Sequence, residues 1–284
     1  MWMSCSKKKL KRSQKNKLMI EKKLIDNAKK IDKFLVNFLN KQKKSLLVKP
    51  MKYGVISGGK KIRSTIILDT GKIFNISERK LLNICAAVEC IHSYSLIHDD
   101  LPCMDNDIMR RGKPSTHKKF GEASAVLAGS SLLTLAFEII SDEKYLISSR
   151  IKNEISRSLA KCSGHTGIAG GQELDLKFEN KKKNFTQIVD MQKKKTGKLF
   201  NFCLYAVGVV ANKKEKEKLF LSNLGEEIGL LFQLADDFLD KKGSKNLVGK
   251  PVKKDKKKGK STLLSLMGEK QAYLYAINLK KKIL

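Results

Sequence analysis

Between Pro114 and Pro251 the chain contains no proline, and the only others are Pro50 and Pro102. Proline lacks a backbone donor and clashes with the preceding turn, so helix interiors exclude it. A proline-free stretch this long, with apolar residues at helical spacing, restricts the chain to an all-α fold. Leu18, Leu24, Ile25, Ile31, Leu35, Phe38 and Leu39 fit one amphipathic helix. Leu81, Leu82, Ala86, Glu89, Cys90, Ser93 and Ile97 fit a second, with Ser77 as its N-cap. Leu219, Leu224, Ile228, Leu231, Phe232, Ala235 and Leu239 fit a third. Strand-like alternation is nearly absent, there is no internal repeat, and no Gly/Ser/Pro-rich linker divides the chain. The expectation is a basic, flexible tail over residues 1–16 and one all-α domain over 17–284.

The formal charge is +31, from 59 Lys plus Arg against 28 Asp plus Glu. So large a charge points toward nucleic acid, anionic membranes or acidic ligands. The lysines form no stripe interleaved with aromatics, however, and Lys, Asn and Ile are abundant throughout. That pattern fits a codon bias toward A and T better than a nucleic-acid surface, so no specific nucleic-acid partner is expected. The six cysteines, at 5, 85, 90, 103, 162 and 203, form no Cys-x-x-Cys and no zinc-finger spacing. They read as reduced core thiols of a cytoplasmic protein. No uninterrupted apolar run reaches the roughly 18 residues of a membrane span, the best candidate being Leu199 to Ala211. Residues 1–17 lack the apolar core of a secretory signal.

Against this basic background two aspartate clusters stand out: Asp99-Asp100-Leu-Pro-Cys-Met-Asp105 and Asp236-Asp237-Phe-Leu-Asp240. Crowded carboxylates raise one another's pKa unless a cation neutralises them. In the second cluster the i, i+1, i+4 spacing puts at least two carboxylates on one helical face, and the apolar neighbours Phe232, Leu234 and Leu239 turn that face toward the core. The first cluster ends a helix at Pro102 and continues into a turn through Asp105, Asn106 and Asp107. Oxygen ligands so sparsely set suit Mg2+, which keeps its waters and takes one or two carboxylates plus phosphate oxygens.

Groups able to bind the anion are also present. Gly58-Gly59-Lys60-Lys61-Ile62-Arg63 opens an apolar helix, where backbone and dipole attract phosphate; Lys60 and Arg63, three apart, are expected on one side. Arg110 and Arg111 follow the first aspartate cluster, so three of only seven arginines fall in these segments. Retaining arginine in a lysine-biased chain suggests that the forked guanidinium is needed. His92 lies two turns before Asp99, and Lys195-Thr196-Gly197 interrupts a long helix. A mid-helix Thr-Gly is a kink, or a place where a carbonyl and a hydroxyl are exposed to a ligand.

Together these segments resemble the trans short-chain prenyl diphosphate synthases, most closely the bacterial-type farnesyl diphosphate synthases. The matching stretches occur in family order: GGKKIRS at 58–64, ECIHSYSLIHDDLPCMDND at 89–107, RRGKPSTHKKFGEA at 110–123, GGQELDL at 170–176, KTGKLF at 195–200, FQLADDFLD at 232–240, GK at 249–250 and GKST at 259–262. The resemblance implies an isoprenoid-synthase-type helical bundle around a central cavity, usually a homodimer. It implies that Asp99, Asp105 and Asp236 bind several Mg2+ ions, with Asp100 and Asp240 supporting. Arg110, Lys195, Lys250 and Lys260 would meet the diphosphate of an allylic substrate, dimethylallyl or geranyl diphosphate. Lys60, Arg63, His92 and Arg111 would hold isopentenyl diphosphate. The Lys195 carbonyl, Thr196 hydroxyl and Gln233 amide oxygen would stabilise the allylic cation. Tyr94, a little over one turn before Asp99, would floor the pocket at a C15 product, farnesyl diphosphate; geranylgeranyl diphosphate (C20) and a non-catalytic regulatory member of the fold are the alternatives. Two departures accompany the resemblance: Lys61 and Ser64 stand where the family usually has Arg and Pro, and family members usually run further than Leu284, so a shortened C-terminal end is expected.

Overall fold

The computed structural model describes residues 2–42, 45–56, 58–242 and 259–284, with the side chains of α1 described from Asn16 onward. Helices dominate, as the proline distribution requires: α1 (Trp2–Asn40), α2 (Val48–Val55), α3 (Ile62–Ile73), α4 (Glu78–Asp99), α5 (Thr116–Phe120), α6 (Glu122–Ser141), α7 (Ser149–Ser163), α8 (Ile168–Phe178), α9 (Phe185–Gln192), α10 (Lys198–Val210), α11 (Glu215–Lys242) and α12 (Leu263–Ile283). A π-helical turn, Lys193–Gly197, joins α9 to α10. The described strands are two residues long each, β1 (Met109–Arg110) and β2 (Lys113–Pro114), paired antiparallel. Residues 2–16, set apart on composition, are continuous with α1.

The core is built on α4 and α10. Helices apolar on every face must be surrounded, and α10 buries Leu199, Phe200, Phe202, Cys203, Leu204, Ala206, Val207 and Val209. Phe200 and Phe202 are fully buried, each contributing roughly 2 to 3 kcal/mol. Helices α3, α7 and α11 pack on α10, while α3 and α6 pack on α4. A second, smaller apolar cluster joins Phe178, Ile188, Met191, Leu230, Leu234, Leu263 and Leu279 where α9, α11 and α12 meet.

The helical patterns fare unequally. In α4 every expected inward residue except Leu82 is buried, including Glu89 and Ser93, although Ser77 occupies the N-cap position without a side-chain hydrogen bond. In α1 Ile31, Leu35 and Leu39 are buried, but Leu18 and Ile25 are exposed. The expected face of α11 requires correction. Leu219 and Leu239 are half exposed or more, and the buried positions are Lys218, Leu221, Gly225, Gly229, Leu230, Leu234 and Asp237. The face turned toward α10 carries Gly225 and Gly229, which approach Phe200 and Gly197 closely. Apolar periodicity is blind to a contact made by glycine. A further correction concerns α6, which is long and apolar enough to cross a membrane by length and composition, with 44% of that window buried here. Its Ser, Gly and Thr residues hide this from a search for uninterrupted apolar runs. Among the described cysteines all are free; Cys85, Cys90, Cys162 and Cys203 are buried, whereas Cys103 is exposed.

Candidate active site

Helix α4 ends at Asp99, and the chain folds back under it: the amides of Asp105 and Asp107 donate to the carbonyls of Asp99 (2.8 Å) and Asp100 (3.1 Å). Asn106, at φ 48°, makes this reversal in the left-handed region that Asn tolerates. The turn brings Asp105 beside Asp99. Burial, with Asp105 and Asp100 adding to it, pushes the Asp99 carboxyl up to about 6 despite the pull of Lys195 and Arg110.

Asp105 leads on to a chain of charges that the sequence places far apart. Lys260 Nζ lies 3.0 Å from Asp105 and 2.7 Å from Asp175, and Lys195 Nζ lies 2.6 Å from the same Asp175 oxygen. Lys260 is held there by its neighbours. The Gly259 carbonyl accepts from the Asn180 amide, and the Ser261 hydroxyl bonds the carbonyls of Phe178 and Lys181. Thr262 then caps α12 reciprocally with Ser265, a pairing that satisfies two helix-end donors. Asp175 is buried, which alone would raise its pKa, but Lys195 and Lys260 hold it below the ordinary carboxylate range.

Beside this cluster Thr196 donates to Gln233 Oε1 at 2.7 Å, Gln233 Nε2 donates to Asp237 at 2.8 Å, and Gln192 Nε2 donates to the other Asp237 oxygen at 3.1 Å. The inward carboxylate of the second cluster is therefore Asp237, which is 4% exposed, while Asp236 is exposed. Of the carboxylates of which at least two were expected on a core-facing side, only Asp237 is buried. The glycine-lined face of α11 fixes the rotation.

The hairpin sorts the two arginines. Arg111 (φ 52°) and Gly112 (φ 75°) form its two-residue turn, in which both central residues need positive φ. Neighbouring arginines thus diverge. Arg110 makes a forked pair with Asp100 (3.0 and 3.1 Å from Nε) and approaches Asp107 at 3.7 Å. Arg111 reaches the other way, donating to the Gly58 carbonyl and lying over Gly59. A Cβ on Gly59 would stand 2.7 Å from the guanidinium carbon, and its φ is +109°, so only glycine fits.

Around Arg111 the other cations assemble. Arg63 is stacked over the Phe200 ring at 4.7 Å. Burial, with Arg63, Arg111, Lys61 and Arg110 adding to it, pushes the His92 imidazole well below its ordinary value, so it is neutral at pH 7. Lys60 is exposed and precedes α3, so the expectation that Lys60 and Arg63 share a helical side does not hold. Lys61 takes an unexpected position. Its side chain is buried, its ammonium donates to the Val55 carbonyl at 2.6 Å, and it lies 3.4 Å from Asp32 and 3.7 Å from Glu89. It is a strut behind the cationic group rather than part of its surface. Glu89, also bonded by Ser64 at 2.7 Å, is the buried carboxylate of this half.

The structure thus gathers Asp99, Asp100, Asp105, Arg110, Lys195 and Lys260 on one side and Arg63, His92 and Arg111 on the other. Asp99 feels Lys195, and Arg63 feels Asp236, so each aspartate cluster is within electrostatic reach of one basic group. Tyr94 stands edge-on to His98 with ring centres 5.2 Å apart, packed against the core. Lys250 and Gly249 lie outside the described residues. Asp175, Asp237, Glu89 and Lys61 were not singled out as site residues. The one available signal was the pair of acidic residues in GGQELDL, Glu173 and Asp175, of which only Asp175 is buried.

The donor set suits magnesium. Asp99, Asp105, Asp236 and Asp240 offer only hard oxygens, and among the described residues no three His, Cys, Asp or Glu groups stand close enough to hold a metal alone. A cation here needs oxygens from elsewhere, as magnesium does when it binds one or two carboxylates together with phosphate.

Comparison with known proteins agrees with this arrangement. The polyprenyl synthetase family model matches residues 44–282. A farnesyl diphosphate synthase of Bacillus subtilis is 42% identical over 231 residues, covering 79% of this chain and 77% of the relative. The crystal structure of an FPP/GFPP synthase from Zymomonas mobilis superposes with a TM-score of 0.83 at 37% identity, covering 94% of this chain and 91% of its own. A Helicobacter pylori geranyltransferase solved with magnesium and isoprenyl diphosphate superposes with a TM-score of 0.80 at 31% identity, covering 93% and 89%. With its motifs in place and most of its length matched, the chain belongs to the polyprenyl synthetase family.

Proposed function

We propose that this chain is a prenyltransferase that condenses isopentenyl diphosphate with dimethylallyl or geranyl diphosphate to give farnesyl diphosphate. The observation that carries the reading is the two-sided site: cations tied to carboxylates on one side, and cations gathered around a neutral imidazole on the other. Asp99, Asp105 and Asp236, with Asp100 and Asp240 supporting, are the residues to hold magnesium, which when bound neutralises the leaving diphosphate. Lys195, Lys260, Lys250 and Arg110 steady that same diphosphate. The carbon–oxygen bond of the allylic substrate breaks, its electron pair leaving with the diphosphate. The Lys195 carbonyl, Thr196 hydroxyl and Gln233 amide oxygen face the cation so formed, and fixed dipoles of this kind are worth more in a water-excluded site than in solution. Lys60, Arg63, His92 and Arg111 hold isopentenyl diphosphate so that its double bond attacks the cation; the new carbon–carbon bond forms, and a proton passes to the departed diphosphate.

Tyr94 sets the C15 limit as the floor of the growing-chain pocket, one turn below Asp99. Two copies of the chain pair across the outer face of α6, which carries no charge from Ala123 to Phe137 and exposes Val126 (42%) and Leu127 (53%). The enzyme works in the cytoplasm, where its thiols stay reduced. The relatives named for farnesyl diphosphate synthesis support this choice of product. The test is incubation with magnesium, isopentenyl diphosphate and geranyl diphosphate, with product length read by chromatography. A C15 product that disappears with a chelator is expected, and Tyr94→Ala should lengthen it. A folded sample yielding no product sinks the enzymatic reading; a C20 product from the unaltered chain sinks the floor.

A further inference from the structure

The turn that presents Lys195 and Thr196 is a π turn, Lys193–Gly197, set between two α-helices. Such turns hold one residue more than an α-helix can accommodate and are rare unless something stabilises them. This one contains three consecutive lysines, with a fourth at Lys198. Opposite them stands Glu226 of α11, a carboxylate that the reaction does not use. One oxygen lies 3.3 Å from Lys193 Nζ and the other 2.7 Å from Lys198 Nζ. Burial alone would raise the pKa of Glu226, but these two lysines hold it below the ordinary range, so it is charged at neutral pH.

The spacing of the two lysines is informative. In an α-helix, residues five apart point about 140° away from each other. In a π turn, whose hydrogen bonds run to the fifth residue, they come back to nearly the same side. One carboxylate between Lys193 and Lys198 therefore matches the wide turn and opposes the regular one. Lys194 pairs with Asp190, four residues before it, at 2.8 Å. The backbone is gripped as well. A Cβ on Gly229 would stand 2.6 Å from the Gly197 Cα, and on the other flank a Cβ on Gly171 would stand 2.2 Å from the Lys195 nitrogen.

We propose that Glu226 is a positioning residue: by clamping Lys193 and Lys198 it holds the wide turn, and so directs Lys195 to Asp175 and Thr196 to Gln233. The inference rests on the role given above to Lys195 and Thr196. It is tested with Glu226→Gln, which keeps size and removes charge. Steady-state kinetics should show kcat lowered by about tenfold to a hundredfold, the scale of small misplacements at a reacting centre, with KM for isopentenyl diphosphate within about twofold of the unaltered enzyme. In a Thr196→Val background the same change should cost less than it does alone, the remainder acting through Lys195, because residues acting through one another are not additive. Backbone amide exchange over residues 193–202 should accelerate, while α4 is unaffected. Unchanged kcat at a lowered Tm, full additivity with Thr196→Val, or unchanged exchange at the turn would each overturn the proposal. Lys193→Met combined with Lys198→Met removes the same clamp from the other side and must reproduce the exchange result, which covers the case in which Glu226→Gln folds poorly. If the unaltered chain proves to have no prenyltransferase activity, the functional reading fails while the exchange measurement still decides the clamp.

Discussion

On one side of the site Lys195, Lys260 and Arg110 each have a carboxylate within about 3 Å; on the other, Arg63, Arg111 and Lys61 surround a neutral histidine with Glu89 as their buried counter-ion. In the first half five carboxylates, Asp99, Asp100, Asp105, Asp107 and Asp175, outnumber the three cations before any ligand arrives. The second carries an excess of positive charge. An anion entering the second half meets uncompensated cations at once, and the low local dielectric strengthens that attraction. An anion entering the first half must displace existing ion pairs or bring its own cations. The difference fits the reading proposed above, in which one substrate arrives with magnesium and the other binds directly to cations.

The comparison can be broken in four ways. The largest effect is expected from Asp236→Ala, which under the proposed reading removes one of the magnesium oxygens. It should lower kcat by about a hundredfold or more, read in a fixed-time assay, and adding magnesium should recover part of the loss. An equal loss from Asp236→Asn that no magnesium concentration relieves would argue that the residue acts otherwise. Next is Arg111→Ala. Losing a charge-assisted contact of roughly 1.5 to 3 kcal/mol raises KM for isopentenyl diphosphate by about ten- to a hundredfold, leaving KM for geranyl diphosphate nearly unchanged. If both KM values rise together, the two halves are not separate.

A third test reads stability. Asp175→Asn should destabilise by about 3 kcal/mol, the low end for removing one partner of a buried ion pair, seen as a lower Tm at pH 7. Because the folded pKa of Asp175 is lowered, its contribution is fully present above the unfolded value of 3.8 and is lost as pH falls through the folded value. The Tm difference between variant and parent should therefore persist from pH 5 to 8 and shrink only under stronger acid. A difference that grows as pH falls would contradict the lysine pairing. The smallest effect is His92→Gln. With a depressed folded pKa, His92 stays neutral as pH drops from 8 to 6, while the unfolded chain takes up a proton near 6.5. KM for isopentenyl diphosphate should thus be flat over that range in the parent and shift by less than about threefold in the variant. A steep pH dependence in the parent, abolished by His92→Gln, would mean that the imidazole carries charge when substrate binds.

How much of this was legible depended on how far apart the partners lie in the chain. The end of α4 is local: Asp99, Pro102 and Asp105 are within two turns, and the expected reversal is where the structure has it. The same holds for the diverging arginines, once Gly112 is taken as half of a tight turn. Asp175 and Glu226 are different. Asp175 acquires its meaning from Lys260, which lies 85 residues away in sequence, and Glu226 from a π turn 28 residues before it, measured to Lys198. Neither pairing leaves a periodic trace. The rotation of α11 escapes the apolar pattern for a related reason, since its tightest contacts are made by glycine, the residue with no apolar signal.

What the sequence determined by itself was the helical class, the family resemblance and the identity of the groups that carry charge, because proline placement and short-range spacing act through the local backbone. Which aspartate faces inward, which lysine is a strut and which is presented to ligand, and which carboxylate holds the π turn were decided by tertiary structure. Those choices depend on how closely one helix can approach another, and on which charges remain near each other once water has been excluded between them.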